Sequence, residues 1–225
     1  MHCLIFGATG SIGNYIFDSL IKEGHHVIGT TSSLEKIKEN IIYVNNNNLE
    51  SLNLIENIDT IVWAHGYNFS DNILTFDNNN FDKIIDANVT FILKTLNYLL
   101  VNNKINDNGK LVIISSIWEE FTRENKLSYT ISKSALSGMV KNLAYDLSSK
   151  NILINNVLPG VIDNEMSRKA LSETQMNNVK NQMKFGRLIT LDDVYKTIRF
   201  LIIDNNGITG QSIKVDLGFT NLKRI

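Results

Sequence analysis

The alternation of short apolar runs with longer amphipathic segments is the feature that most constrains the fold of this 225-residue chain. Seven runs have the length and the nearly continuous apolar character of strands that are covered on both faces: His2–Phe6, 27–30, 41–44, 60–64, 110–115, 152–157 and Ser212–Val215. The longest amphipathic stretches between them are 81–101 and 128–149. Strands that alternate with helices form parallel sheets through right-handed crossovers. We therefore predict an α/β fold: one doubly wound domain over residues 1–225, with a seven-stranded parallel sheet and helices on both faces.

Composition and charge narrow the classes of partner. The chain has 22 basic and 23 acidic residues and a formal net charge of -1. Nucleic acid is not expected as a partner, because no basic surplus exists to neutralise phosphates. No apolar run in the sequence approaches the ~20 residues of a membrane span, and the first predicted strand begins at His2, so no signal peptide is expected. The single cysteine, Cys3, fits a reducing compartment and a buried position. We expect a cytoplasmic protein and predict no metal site.

The glycine-rich segment after the first strand is a candidate nucleotide site. Its sequence is Gly7-Ala8-Thr9-Gly10-Ser11-Ile12-Gly13, and it leads directly into the first predicted helix. Glycines permit a tight turn and let the backbone approach a pyrophosphate, which the helix N-terminus stabilises. Such turns also occur as plain connectors, but the position between strand and helix favours dinucleotide binding.

The end of the second strand indicates which dinucleotide is bound. Enzymes that use NAD usually place an acidic residue there, against the ribose hydroxyls. Here the strand ends Gly29-Thr30-Thr31-Ser32-Ser33, and no carboxylate occurs before Glu35. Thr31 and Ser32 can donate to a 2′-phosphate, and Lys36 lies within reach. The pattern favours NADP(H) over NAD(H). The alternative is that Thr31 and Ser32 cap the next helix.

Tyr129 and Lys133 are candidates for acid–base chemistry. Four residues apart on a helix, their side chains lie on one face within ~6 Å. A tyrosine pKa near 10 is too high for proton exchange at neutral pH, and a neighbouring ammonium lowers it. The tyrosine–lysine pair alone is weak evidence for a catalytic site. However, Ser115 and Ser116 end the fifth predicted strand, and ligands bind at such strand ends in open α/β sheets. A serine there can donate to a substrate oxygen while the tyrosine supplies the proton.

Together these motifs resemble the compact, single-domain branch of the short-chain dehydrogenase/reductase family over nearly the whole chain. The family's catalytic serine usually lies thirteen positions before the tyrosine, which selects Ser116 over Ser115. The resemblance implies a Rossmann-type fold. The corresponding segments are 7–13, Ala64-His65-Gly66, Asp86-Ala87-Asn88-Val89, Tyr129-Thr130-Ile131-Ser132-Lys133, Asn155-Asn156-Val157-Leu158-Pro159-Gly160 and Gly210-Gln211-Ser212-Ile213-Lys214-Val215-Asp216.

The resemblance also implies a reaction and roles for the residues. Hydride passes between the nicotinamide and a carbonyl or carbinol carbon, and Tyr129 exchanges the proton with the oxygen. Lys133 lowers the pKa of the tyrosine and binds the nicotinamide ribose. Ser116 orients the carbonyl, and Asn88 holds a water that links Lys133 to solvent. Further implied cofactor contacts are Ala64, His65, Gly66, Pro159, Gly160, Ile162 and Asn164, although a structural role for His65 is the favoured alternative.

Two segments are predicted to surround the substrate. In the loop 117–125, Trp118 and Phe121 can stack on an apolar or sugar-ring face, and Arg123 can meet a carboxylate or phosphate. A solvated loop with one packed aromatic residue is an equal alternative. Residues 164–185 are predicted to form a mobile lid, whose methionines either line its underside or pack its helices. The asparagine clusters 45–48 and 78–80 are predicted to be loops.

Several substrates and one rival function remain open at this point. β-Ketoacyl carrier-protein reductases match the chain most in pattern, and the polar pocket loop also fits a sugar or sugar-nucleotide. A different class is a non-catalytic binding protein that senses NADP(H), although such proteins commonly lose the tyrosine or lysine. In relatives, helices like 81–101 and 128–149 pair across subunits. A homodimer or homotetramer is therefore expected, with a small-molecule carbonyl or alcohol as substrate.

Overall fold

The apolar runs of the sequence form one parallel sheet. The computed structural model of the chain describes residues 1–162, 167 and 172–221. Its strands stand in the order β3-β2-β1-β4-β5-β6-β7, and each neighbouring pair is parallel. The predicted α/β fold with seven parallel strands is confirmed. The strands are β1 His2–Phe6, β2 His26–Thr31, β3 Ile41–Tyr43, β4 Ile58–Trp63, β5 Ile105–Ile114, β6 Leu153–Pro159 and β7 Ser212–Val215.

The strand order reverses at β1, which creates a crevice at the carboxyl edge of the sheet. Leu4 of β1 is paired with Ile28 of β2 on one side and with Ile61 of β4 on the other. The chain leaves β1 toward one face and β4 toward the other, so ligands bind between the two connections in folds of this kind. The Ala64 amide donates to the carbonyl of Phe6 at 2.9 Å, which holds the two strand ends together.

Helices cover both faces of the sheet. The α-helices within the described ranges include α1 Ser11–Lys22, α2 Asn78–Ile85, α3 Phe91–Val101, α4 Leu127–Asp146, and the later helices Glu173–Gln182 and Leu191–Ile203. Alternate strand residues face opposite sides. Leu4 and Phe6 therefore belong to the core beneath α3 and α4, whereas Cys3 and Ile5 belong to the core beneath α1 and Leu191–Ile203. Cys3 is 3% exposed, so its predicted burial is confirmed.

The predicted starts of one helix and one strand are wrong, because polar residues that were predicted to form loops belong to regular secondary structure. The asparagines 78–80 form the first turn of α2, since Asp77 caps the helix by accepting from the Asn80 amide at 2.9 Å. Strand β5 begins at Ile105, five residues before the predicted start, in a stretch where Asn106 donates to Asp59 at 2.7 Å. The other asparagine cluster forms the predicted turn, closed by Asn45 and Asn48.

Helices α2 and α3 are continuous through a π-helical turn, Asp86–Thr90. Among the described residues, the resulting helix Asn78–Val101 is long and apolar enough to cross a membrane by length and composition alone, and its 18-residue apolar stretch has a mean hydropathy of 1.4. The core of a globular protein accounts for the same pattern, because Phe91, Leu96 and Leu99 are buried against the sheet. The extra residue of a π turn often marks a functional position, and this turn contains the buried Asn88.

The predicted lid at 164–185 is only partly described. Asn164 and Met166 lie outside the described residues. Residues 172–185 include the helix Glu173–Gln182, which begins at a capping box between Ser172 and Gln175. Met183, at its C-terminal end, is 4% exposed. The mobility of the segment stays a prediction.

Candidate active site

A cavity at the carboxyl ends of β5 and β6 contains the predicted catalytic residues Ser116 and Tyr129. Ser116 follows β5, and Tyr129 lies in the first turn of α4. The cavity is also bounded by the chain that follows β6. Its described lining residues include Ile12, Asn68, Ser115, Trp118, Arg123, Lys126, Pro159, Gly160, Val161, Ile162 and Ser167.

Tyr129 and Lys133 are both buried and lie side by side. Tyr129 is 8% exposed and Lys133 is 3% exposed. The Lys133 Nζ lies 5.7 Å from the centre of the Tyr129 ring and donates to the carbonyl of Ile114 at 3.0 Å. Burial raises the pKa of Tyr129 to about 12, and a hydrogen bond with Ser116 acts in the opposite direction. Burial also lowers the pKa of Lys133 to about 8. Each shift reflects the cost of holding a charge away from water.

Asn88 fixes the loop after β4 next to Lys133. Its Oδ1 accepts from the Tyr67 amide at 2.7 Å, and its Nδ2 donates to the Tyr67 carbonyl and to Ser132 Oγ, both at 2.9 Å. Gly66 separates Asn88 from Lys133: a Cβ there would lie 3.4 Å from Asn88 Oδ1 and 3.8 Å from Lys133 Nζ. The amide of Asn88 thus positions the backbone that passes over the ammonium.

The glycine-rich segment forms a cradle that side chains would fill. Gly7 has φ +77°, and a Cβ on it would lie 2.7 Å from the backbone nitrogen of His65. A Cβ on Gly13 would lie 2.2 Å from the Gly7 carbonyl oxygen. Helix α1 therefore begins against the turn, and its N-cap, Gly10, makes no side-chain capping bond. A helix N-terminus open in this way fits the pyrophosphate of a dinucleotide.

A second cavity extends from this cradle along the end of β2. Thr31 is 3% exposed and shares a 3.2 Å hydrogen bond with Thr9, and it also accepts from the Ser33 amide at 3.2 Å. Ser32 is exposed and lines the cavity. The N-cap of the next short helix is Ser33, rather than Thr31 or Ser32. No described residue that lines this cavity carries a carboxylate.

His65 lines the second cavity but also belongs to an aromatic cluster. Its ring centre lies 4.8 Å from that of Phe91 and 6.5 Å from that of Phe6. Burial, with a contribution from Lys133, lowers the pKa of His65 to about 3. The imidazole is therefore neutral. Trp63, two residues earlier, lies in the core and donates to Thr95 at 3.0 Å.

The predicted substrate-contacting residues separate into two groups. Trp118 and Arg123 line the catalytic cavity, and the Arg123 guanidinium lies 5.8 Å from the centre of the Trp118 ring. Phe121 is not among the described lining residues. Its ring is 38% exposed and lies 5.3 Å from the Lys214 ammonium.

Comparisons with known proteins agree with this geometry. The family described as enoyl-(acyl carrier protein) reductase matches residues 49–220. The 3-oxoacyl-[acyl-carrier-protein] reductase FabG of Rickettsia felis is 32% identical over 96% of this chain and 95% of that protein. The chain belongs to the short-chain dehydrogenase/reductase family. As a member of this family it is an oxidoreductase that acts on carbonyl or alcohol groups.

Solved structures of other short-chain dehydrogenases/reductases share the fold. The aldohexose dehydrogenase of Thermoplasma acidophilum superposes with a TM-score of 0.89 and 22% identity, covering 100% of this chain and 95% of that one. The structure described as "ElxO with NADP Bound" has a TM-score of 0.81 and 26% identity, covering 98% of this chain and 99% of that one. These structures show the Rossmann-type fold of the chain, and NADP is bound in one of them.

Sequence reasoning missed several residues that line the two cavities. Val44, Asn45 and Asn46 line the second cavity, and Lys126 and Asn68 line the catalytic one. The position of Val44 and Asn45, directly after β3 at the same sheet edge, is a signal that could have found them. Lys126 gave no such signal, because charged residues in loops are usually solvated.

A buried carboxyl in the turn that follows β5 links strands β6 and β7. Glu119 is 6% exposed and accepts hydrogen bonds from Asn156 of β6, at 3.1 Å, and from Ser212 of β7. Burial raises the pKa of Glu119 above its usual value of 4.5. Because the ionised form is disfavoured in the folded protein, its contribution to stability is complete below the unfolded-state pKa and declines as pH rises through the folded-state pKa.

Glu119→Gln is therefore expected to remove a pH-dependent loss of stability. From about pH 4.5 toward neutral pH, the unfolding free energy of the variant should rise relative to wild type. Urea denaturation across this range measures the difference. Glu39→Gln, on an exposed residue outside this contact, controls for the loss of one negative charge. A difference between Glu119→Gln and wild type that is constant with pH would contradict the assignment.

Proposed function

We propose that this oxidoreductase uses NADPH to reduce a carbonyl group to a secondary alcohol, with Tyr129 as the proton donor. The observation that carries the proposal is the meeting of Tyr129 and Ser116 in one cavity, with Lys133 beside the tyrosine ring. Consumption of NADPH with a panel of ketones, 3-oxoacyl thioesters and ketosugars tests it. Binding of NADPH without turnover of any panel member would instead favour a sensing protein.

The mechanism assigns a distinct task to each residue. When bound, NADPH supplies the hydride. Ser116 donates a hydrogen bond to the substrate oxygen and orients the carbonyl, and Tyr129 donates its proton to the same oxygen. The Lys133 ammonium, 5.7 Å from the tyrosine ring, stabilises the phenolate that remains, against the burial that raises the pKa of Tyr129. Asn88 holds the loop beside the ammonium and supports the water path to solvent.

The cofactor site combines the two cavities. Gly7, Gly10 and Gly13 would hold the pyrophosphate at the start of α1. This assignment is supported by the space that a Cβ on Gly7 or Gly13 would fill. Lys133 would bind the nicotinamide ribose. The chain after β6 would support the nicotinamide, through Pro159, Gly160 and Ile162; Asn164, assigned to its amide, lies outside the described residues. The remaining proposed contacts are Thr9, Ser11, Ile12, Thr31, Ser32, Ala64, His65 and Gly66.

The preference for NADPH is supported by the missing carboxylate at the end of β2. Ser32→Asp should weaken NADPH binding by at least about tenfold, because a carboxylate would face the 2′-phosphate. Binding of NADH should be unchanged or tighter. The matched control is Ser32→Asn, which has nearly the same shape without the charge. Fluorescence titration measures both affinities, and equal NADPH affinity in the Asp and Asn variants would contradict the placement of the phosphate.

Two substrate classes are supported by separate observations. The relatives from Rickettsia are described as 3-oxoacyl-[acyl-carrier-protein] reductases, which favours a 3-oxoacyl thioester. A sugar or sugar-nucleotide fits the polar loop that carries Trp118 and Arg123 into the cavity.

We further propose that the protein is a homodimer or homotetramer. Large apolar side chains are exposed on the outer faces of α3 and α4: Leu93, Val101, Ile131 and Tyr145. Pairing of these two helices between subunits would bury them.

A further inference from the structure

The catalytic cavity contains a second buried ammonium, that of Lys126, which the mechanism above does not use. Lys126 immediately precedes α4 and is 2% exposed. Its Nζ lies 5.2 Å from the centre of the Tyr129 ring, and its side chain lines the same cavity as Tyr129 and Ser116. The charge is therefore close to the position where the substrate carbonyl must lie.

The protein leaves this ammonium largely uncompensated. It donates to the neutral amide oxygen of Asn68 at 2.7 Å, and an ammonium has three donors. No ion pair forms at Lys126 among the described residues. The charge of Asp71 acts to raise the pKa of Lys126, but the Asp71 carboxylate accepts its hydrogen bonds from the amide and the hydroxyl of Ser128. Burial, with a contribution from Arg123, lowers the pKa of Lys126 to about 8.

Arg123 adds a second cation to the same wall. Its guanidinium lies over the Trp118 ring, and it donates no hydrogen bond and forms no ion pair within the described part of the chain. A guanidinium offers five donors in a fixed fork that matches carboxylate and phosphate oxygens. None of the described residues that line this cavity is acidic.

A buried cation without an anion costs free energy, and the partly buried Arg123 repels Lys126 in the same cavity. A substrate that brings its own anion would remove both costs. Building on the proposed carbonyl reduction, we propose that Lys126 and Arg123 form an anion subsite that binds a carboxylate or phosphoryl group of the substrate, next to the carbonyl that Tyr129 protonates.

The subsite distinguishes this substrate from a carrier-protein thioester. A 3-oxoacyl thioester is uncharged around its two carbonyl groups, so it offers these cations only neutral acceptors. A free oxo acid or a phosphorylated ketone places an anion within a few bonds of the carbonyl. Charge-assisted hydrogen bonds to such a group are stronger than neutral ones.

The test compares charged carbonyl compounds with uncharged partners. The pairs are acetoacetate with methyl acetoacetate, 4-oxopentanoate with its methyl ester, and dihydroxyacetone phosphate with dihydroxyacetone. Wild-type enzyme should favour the charged member of at least one pair, and that pair identifies the anion as carboxylate or phosphoryl. Acetoacetyl-coenzyme A is included as the thioester.

The variants Lys126→Gln and Arg123→Gln should each lower kcat/KM for the charged member by about tenfold to a hundredfold, mainly through KM. The fall in kcat/KM for the uncharged member should be much smaller. Lys141→Gln, on an exposed residue of the same helix α4, should leave both members unchanged. If the wild-type enzyme reduces the uncharged member of every pair with the same kcat/KM as the charged member, the anion subsite is overturned. The proposed carbonyl reduction would still stand. An equal fall in kcat for both members would also overturn it, since Lys126 would then act through Tyr129.

A binding measurement keeps the subsite testable even if no panel member turns over. Malonate and inorganic phosphate are titrated separately into the complex of the enzyme with NADP⁺, by calorimetry. Wild type and Lys141→Gln should bind at least one of the two anions, and Lys126→Gln should bind it at least about tenfold more weakly. Absence of binding to wild type, or equal binding to Lys126→Gln, would overturn the subsite whatever the fate of the proposed reaction.

Discussion

Tyr129→Phe is expected to lower kcat by about 10²–10⁴, the usual contribution of a positioned general acid. The substitution removes one hydroxyl and keeps the ring, whose centre lies 5.2 Å from the Lys126 ammonium and 5.7 Å from the Lys133 ammonium. Affinity for NADPH should stay within about twofold of wild type, because the glycine cradle and Lys133 are untouched. Steady-state kinetics and fluorescence titration measure the two quantities.

Tyr145→Phe is the matched control for this prediction. Tyr145 lies on the same helix, α4, but its side chain is 81% exposed. The control should keep wild-type kcat. If the kcat of Tyr129→Phe approaches that of Tyr145→Phe, Tyr129 is not the proton donor.

Gly13→Ala is expected to produce the largest loss of cofactor binding. The new Cβ would lie 2.2 Å from the carbonyl oxygen of Gly7 and 2.8 Å from its carbonyl carbon, so helix α1 must move away from the turn. The unfolding free energy should fall by about 2–3 kcal/mol. Affinity for NADPH should fall by at least about tenfold, because the helix N-terminus no longer meets the pyrophosphate.

Gly138→Ala isolates this clash from the general effect of adding a methyl group. Gly138 lies within helix α4, and a Cβ on it would meet nothing within 4 Å. Alanine there should be neutral, or stabilising by up to about 1 kcal/mol, with NADPH affinity unchanged. Urea denaturation and fluorescence titration compare the two variants. Wild-type NADPH affinity in Gly13→Ala would contradict the placement of the pyrophosphate.

The sheet could be predicted from the sequence because its strands are nearly continuous in apolar residues. Strand β1, with Leu4, Ile5 and Phe6 fully buried, is typical of a strand covered on both faces. The prediction failed where polar residues form regular structure. The capping bond from Asp77 to Asn80 and the polar start of β5 depend on particular partners, which residue type alone does not reveal.

The catalytic site could be predicted to the extent that its spacing is local. Tyr129 and Lys133 lie one helical turn apart, so sequence separation reports their distance directly. The pairing of Lys126 with Asn68 joins residues 58 positions apart, and that of Glu119 with Ser212 joins residues 93 positions apart. Such contacts can be recognised only once the strand order is known, so the sequence predicted that Arg123 can meet an anion but gave no indication of Lys126.

Transfer of deuterium from deuterated NADPH to a carbonyl substrate tests the central claim most directly. The enzyme is incubated with NADPH that carries deuterium at the reactive position of the nicotinamide, and the alcohol is analysed by mass spectrometry. We predict one deuterium on the carbinol carbon with wild type and almost none with Tyr129→Phe. Alcohol formed without deuterium, or deuterium transferred equally by both proteins, would contradict direct hydride reduction assisted by Tyr129.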